Sequence, residues 1–168
     1  MYDTLHMWLE WSKVKHLDLN KTRSVLSNIK EYGSADKNSQ YGKLKNFIVT
    51  IHDTGISLKG SLAIYYYGNN FETLTRDDTK KALERLSSEL GLPIHLSKIN
   101  RLDVATNFIM ERPVSNYFPF LGDKPYFKRV QATETSLYYI TYKKRLNIYD
   151  KTKQAKDKRL SIPDKFKG

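Results

Sequence analysis

Hydrophobic and polar residues alternate at the start of the chain. Leu5, Met7, Leu9 and Trp11 take one phase and Thr4, His6, Trp8 and Glu10 the other, the period-two signature of a half-buried strand. A helix is expected next, from about Lys21 to Tyr32, with Val25, Leu26 and Ile29 on one face and Gly33 as its stop. Ser34 to Gly42 is polar and reads as a loop. Phe47, Val49 and Ile51 alternate again, Asp53-Thr54-Gly55 supplies a turn, and Ile56 to Tyr67 reads as the returning strand, closed by Gly68-Asn69-Asn70.

Thr75 and Asp78 have the spacing of a capping box. Behind them Ala82, Leu83, Leu86 and Leu90 line one face of a helix that Gly91 and Pro93 end. Asn100 to Met110 alternates over its whole length. Leu102, Val104, Thr106, Phe108 and Met110 are expected in the core, while Arg101, Asp103, Ala105 and Asn107 point the other way. A short helix around Val114 to Leu121 and strands at Phe127–Ala132, Ser136–Tyr142 and Arg145–Tyr149 complete the pattern. In the last strand Leu146 and Ile148 face the core, and Asn147 and Tyr149 join the face of Asp103 if the sheet is continuous. The fold class is α+β: one antiparallel sheet of about five to seven strands with helices packed on one face, leaving the other for a ligand.

Composition then narrows the function. The 168 residues suit one domain with a proper core, no apolar run approaches the length a bilayer needs, and Asp3, His6 and Glu10 interrupt the place of a signal-peptide core. No membrane role is expected. Cysteine is absent, which excludes disulfides and thiolate metal sites. The net charge of +11 points to a polyanion, and ten Lys and Arg against three Asp place +7 of it from Lys143 onward. Twelve tyrosines add flat rings of the kind unpaired bases stack on.

Four blocks then occur in order: Gly55-Ile56-Ser57-Leu58-Lys59-Gly60-Ser61-Leu62-Ala63, Gly68-Asn69-Asn70, Asn100-Arg101-Leu102-Asp103-Val104-Ala105 and Asn147-Ile148-Tyr149-Asp150-Lys151. Together with the opening Met1-Tyr2-Asp3-Thr4, this resembles phage and plasmid rolling-circle replication initiators of the filamentous-phage gene II/X type, within the HUH endonuclease class. The resemblance implies a nicking domain over residues 1–160, followed by a basic tail at 161–168 where the chain is expected to be cut short. It implies an enzyme of the bacterial cytoplasm that nicks and rejoins single-stranded origin DNA through a 5′-phosphotyrosine. Host helicase and polymerase would be partners.

On that resemblance Tyr149 is the nucleophile. A phenol with a pKa near ~10 needs adjacent positive charge, and Lys151 is the nearest candidate, with Lys143, Lys144 and Arg145 at the preceding turn. Asp103 maps onto the family's acidic position and would hold Mg²⁺ or Mn²⁺, with Asn107 and His52 as further candidate ligands. The competing reading of Asp103 is an ion pair with Arg101. Lys59, Asn69, Asn70, Arg101, Lys143, Lys144 and Arg145 are expected to contact DNA. Tyr65 and Tyr67, on one side of a strand opposite Tyr66, are candidate stacking rings. The chain departs from the family in three places: no His-hydrophobic-His tripeptide, Gln154 in place of Glu, and Ile64 in place of Lys. The alternatives are a non-catalytic module that binds single-stranded nucleic acid on an aromatic sheet, and a mobilisation relaxase.

Overall fold

The computed structural model describes residues 2–16, 18–32, 39–157, 162 and 164. The expected helix stop at Gly33, positions 34–38 of the expected loop and most of the 161–168 tail lie outside the described residues. The chain forms two compact units, Met1–Thr106 and Asn107–Gly168.

The first unit contains β1 (Tyr2–Glu10), α1 (Leu19–Ser24), β2 (Ser27–Tyr32), β3 (Ser39–Leu44), β4 (Phe47–Ile51), β5 (Gly55–Ser61), α2 (Leu62–Tyr67), α3 (Arg76–Leu90) and β6 (Lys98–Val104). Its six strands pair antiparallel in the order β2-β3-β4-β5-β1-β6. One phase of β1, β4 and β5 is apolar: Leu5, Met7 and Leu9, then Phe47, Val49 and Ile51, then Ile56 and Leu58. That face packs with Leu62, Ala63, Ala82, Leu86 and Leu90 of α2 and α3. Each such aliphatic side chain contributes about 1.5–3 kcal/mol by leaving water. The helices follow local rules. The Thr75–Asp78 capping box forms as the spacing predicts, and Gly91 ends α3 in a left-handed turn at φ +69°.

The second unit holds a 3-10 turn at Val114–Phe120, strands β7 (Lys128–Thr133), β8 (Ser136–Ile140) and β9 (Arg145–Tyr149), and helix α4 (Lys151–Asp157). The strands pair antiparallel in sequence order. Phe118, Leu137 and Tyr139 form its core, with Val114, Leu121, Phe127 and Ile148 against it. Arg129 caps the 3-10 turn by donating to the carbonyls of Leu121 and Phe118 at 3.0 and 2.9 Å.

The α+β architecture expected from the sequence is therefore present, and four details differ. The last three strands form a sheet of their own instead of extending the first, so Tyr149 and Asp103 do not share one continuous sheet. The helix expected over 21–32 is a single short helix ending at Ser24. Asp18 caps it from outside, and the chain then turns into β2, which pairs with β3 in the stretch expected to be a loop. Residues 62–67 are helical because the Ser61 hydroxyl accepts from the Ile64 amide and Gly68 closes the turn, so the three tyrosines are not strand residues. Finally, β6 ends at Val104 and lies at the sheet edge. Leu102, Val104, Phe108 and Met110 are exposed there instead of buried, Val104 by 69% and Phe108 by 76%.

Candidate functional site

The face of the six-stranded sheet opposite the helices is built from the polar phase of the same strands. Register places two rows of side chains across it. One row runs Lys30, Tyr41, Thr50, Ser57, Trp8, Lys98; the other runs Lys43, Ile48, Lys59, His6, Arg101. At the usual strand spacing the second row extends about 19 Å from β3 to β6. Five cations, Lys30, Lys43, Lys59, Lys98 and Arg101, thus share one face with rings from five residues. Tyr32 stacks on Tyr41 at 5.2 Å between ring centroids, and Trp8 meets His52 at 5.4 Å. The hydrogen bond with Tyr41 raises the Tyr32 phenol above its ordinary pKa. His6 Nε2 lies 3.0 Å from Ser57 Oγ, which fixes its ring in the centre of the face.

Asp103 joins this face at the β6 edge, where Arg101 donates to both its oxygens at 2.8 Å. The pair raises the Arg101 pKa through the hydrogen bond and the carboxylate charge. Both side chains keep solvent access, 63% for Arg101 and 37% for Asp103.

In the second unit, Tyr149 ends edge strand β9 opposite Ser136. Ile148 packs on the core, so the alternation puts Tyr149 with Asn147 and Arg145 on the face away from it. Arg145 donates to Asn147 Oδ1 at 2.7 Å, and its guanidinium lies 4.0 Å from the Tyr138 ring centroid. Immediately after Tyr149, the Asp150 carboxylate accepts from the Lys153 amide at 2.8 Å and starts α4. The Lys151 ammonium sits 5.9 Å from the Tyr149 ring centroid. Lys143 and Lys144 lie at the β8–β9 turn, where the Thr141 hydroxyl accepts from both their amides. β9 runs extended from Arg145 to Tyr149, about 13 Å by strand rise, so the turn cations sit at the far end of the strand from the phenol. Among the basic residues expected to help Tyr149, Lys151 is the one the described contacts place beside it.

The structure relocates several expected contacts. Tyr65 is buried to 3% exposure beneath Lys45 and Arg85, and burial together with Glu89 raises its phenol well above the usual range. Tyr67 donates to Asp78 at 2.8 Å, which pushes its own pKa up to about 12. Both rings belong to α2 and neither lies on a sheet face. Asn69 spends its side-chain carbonyl on the amides of Phe71 and Glu72. Lys59 and Arg101 do lie on the open face. Trp8, His6, Tyr41, Lys43 and Lys98 join them there without having been singled out. The signal for the first two was the polar phase of β1 itself.

Two of the candidate metal ligands, His52 and Asp103, do not converge. His52 is held by Ser39 Oγ at Nδ1, 2.9 Å away, at the Trp8 end of the face, whereas Asp103 lies beyond Arg101 towards the other end. Asn107 follows the end of β6 and belongs to the second unit. Among the described residues no three His, Asp or Glu side chains gather as a metal site.

Among the described residues no helix is long and apolar enough to cross a membrane. No curated protein and no solved structure matches the chain significantly. A family model does: residues 1–167, almost the full length and both units, match the N-terminal region of the phage replication-associated protein of the gene II type. The chain belongs to this phage family of replication-associated proteins.

Proposed function

We propose that this protein initiates rolling-circle replication by cutting single-stranded DNA at an origin and rejoining it through Tyr149, acting in a bacterial cytoplasm. The family supports a role in replication. The observation that carries the finer reading is the placement of Tyr149: it ends β9, outside the small core, with the Lys151 ammonium beside its ring. In this reading the phenolic oxygen attacks a backbone phosphorus. An Oη–P bond forms and the P–O3′ bond breaks. The phenol gives up its proton and the departing 3′ oxygen takes one, which leaves a 3′-hydroxyl for a polymerase. Lys151 lowers the cost of the phenolate by its charge. Rejoining is the reverse step, with a 3′-hydroxyl attacking the phosphotyrosine.

The basic, ring-bearing face of the six-stranded sheet would hold the strand, with phosphates on the lysines and Arg101 and bases against Tyr41 and Trp8. That same face favours the second reading, a binding module without chemistry. One experiment separates them. A labelled single-stranded origin oligonucleotide incubated with the protein and Mn²⁺ or Mg²⁺ should yield an adduct that survives SDS, and Tyr149→Phe should abolish it. A binding module would show salt-sensitive affinity and no adduct in either protein.

A further inference from the structure

At the Trp8 end of the open face, a cleft of about 360 Å³ is lined by Trp8, Ser39, His52, Asp53 and Thr54. Its size lies near the lower end of ligand pockets, which span roughly 300–1,000 Å³, so it suits one planar ring better than a larger molecule. Three features shape it. Gly55 has no side chain, and a Cβ there would lie 2.6 Å from Trp8 Cζ2, so the indole can lie down over the β4–β5 turn. The His52 ring is tilted 49° to the indole and fixed at Nδ1 by Ser39 Oγ. Asp53, at the exposed hairpin turn, brings the one carboxylate among the five lining residues.

The cleft also sits next to the cations that would carry a strand. Trp8 is opposite Lys98 in the register, and His6, two residues away on the same face, is opposite Lys59 and Arg101. Two residues along a strand is about 7 Å, the scale of one nucleotide step, so phosphates on that row leave a base within reach of the indole.

We infer that this cleft is a nucleobase pocket, and that it selects guanine. The inference rests on the reading that the protein binds single-stranded DNA. Stacking on Trp8 accepts any base. The carboxylate discriminates, because it only accepts hydrogen bonds. Guanine presents two adjacent donors on its pairing edge, the N1 proton and the 2-amino group, which match the two carboxylate oxygens. Adenine and cytosine place an acceptor beside their single amino group, and thymine flanks its N3 proton with two carbonyls.

The test is fluorescence anisotropy of the full chain with a short labelled oligothymidylate and with the same oligomer carrying one central guanine, in EDTA so that no strand is cut. The guanine oligomer should bind about tenfold more tightly. Asp53→Asn should erase that preference, so that both oligomers bind equally. Trp8→Leu should weaken both oligomers by about tenfold. Equal binding of the two oligomers by the unaltered protein, or a guanine preference that survives Asp53→Asn, would overturn the inference. Asp53 is an exposed turn residue, so its amide variant tests the pocket without disturbing the core. Adduct formation, read separately, keeps the two ideas apart. An adduct without guanine preference removes the pocket alone, and guanine preference without an adduct removes the nicking chemistry alone.

Discussion

Arg101 grips Asp103 along edge strand β6 through two hydrogen bonds, Nε to Oδ1 and Nη2 to Oδ2, each 2.8 Å long. The carboxylate thereby offsets the charge of the cation that ends the Lys43–Ile48–Lys59–His6 row. An exposed pair of this kind adds little to stability, so its consequence is for binding. Asp103→Asn is expected to leave the melting temperature nearly unchanged and to release Arg101 for a phosphate. The slope of log K against log salt for single-stranded DNA should steepen by about 0.7, and adding Arg101→Gln to that variant should cancel the gain. Salt titrations of the two variants would check this. Parallel slopes in both would show that the pair takes no part in binding.

The Asp78 carboxylate sits where Thr75, at the start of α3, and Tyr67, at the end of α2, both donate to it. These hydrogen bonds hold its pKa below the ordinary carboxylate value. As pH falls, the unfolded chain takes up the proton first. The stabilisation is full above the unfolded pKa near ~4 and disappears as pH drops through the lower folded value. Asp78→Asn should therefore lower the melting temperature at neutral pH and by progressively less as acid titrates the native carboxyl. Thermal melts across that range would reveal the convergence, and a constant offset would contradict it.

Thr22 is wholly buried and its hydroxyl donates to the Leu90 carbonyl at 2.8 Å. Leu90 ends α3, where carbonyls lack partners within the helix. Thr22→Val keeps the shape and strands that acceptor, so it should cost about 1–3 kcal/mol in urea unfolding. Thr22→Ser, which keeps the hydroxyl, should recover part of the loss.

Gly55 pairs with Glu10 beneath the Trp8 ring, and an added Cβ would approach the Leu9 carbonyl to 2.5 Å and the indole to 2.6 Å. Neither neighbour is a flexible chain end. Gly55→Ala is expected to destabilise by about 1–3 kcal/mol and to lift Trp8 off the turn, seen as a change in its fluorescence in the native state. An unchanged emission spectrum would show that the indole does not depend on this close approach.

The sequence made some of this legible and hid the rest for identifiable reasons. β1 was readable because Leu5, Met7 and Leu9 are buried and their neighbours are not. α3 was readable because its cap, apolar face and stop are all local. Val25, Leu26 and Ile29 have helical spacing, but β2 is exposed along its whole length, and its pairing with β3 leaves no burial alternation to detect. The tyrosine run looked like a continued strand. Its real signals were Ser61 three residues before Ile64 and Gly68 at the end, a cap and a stop that outweigh the aromatic preference for strands. Around Asp103 the alternation runs on to Phe108, yet β6 has one strand neighbour and stops at Val104. Pattern gave the side-chain phase there, and tertiary position decided the burial. Tyr149 and Asp103 were each expected on a strand and lie on one, but the break between the two sheets could not be read from alternation, which is the same for one sheet or two.

Locating the covalent bond would decide whether Tyr149 does the chemistry. The SDS-resistant product formed with a single-stranded origin oligonucleotide should be digested with nuclease and trypsin and the modified peptide sequenced by mass spectrometry. The expected peptide carries a nucleotide joined through its 5′-phosphate to Tyr149, in the tryptic segment that begins after Arg145 and ends at Lys151. A nucleotide carried by any other residue, or DNA cut with no protein-linked nucleotide, would contradict it.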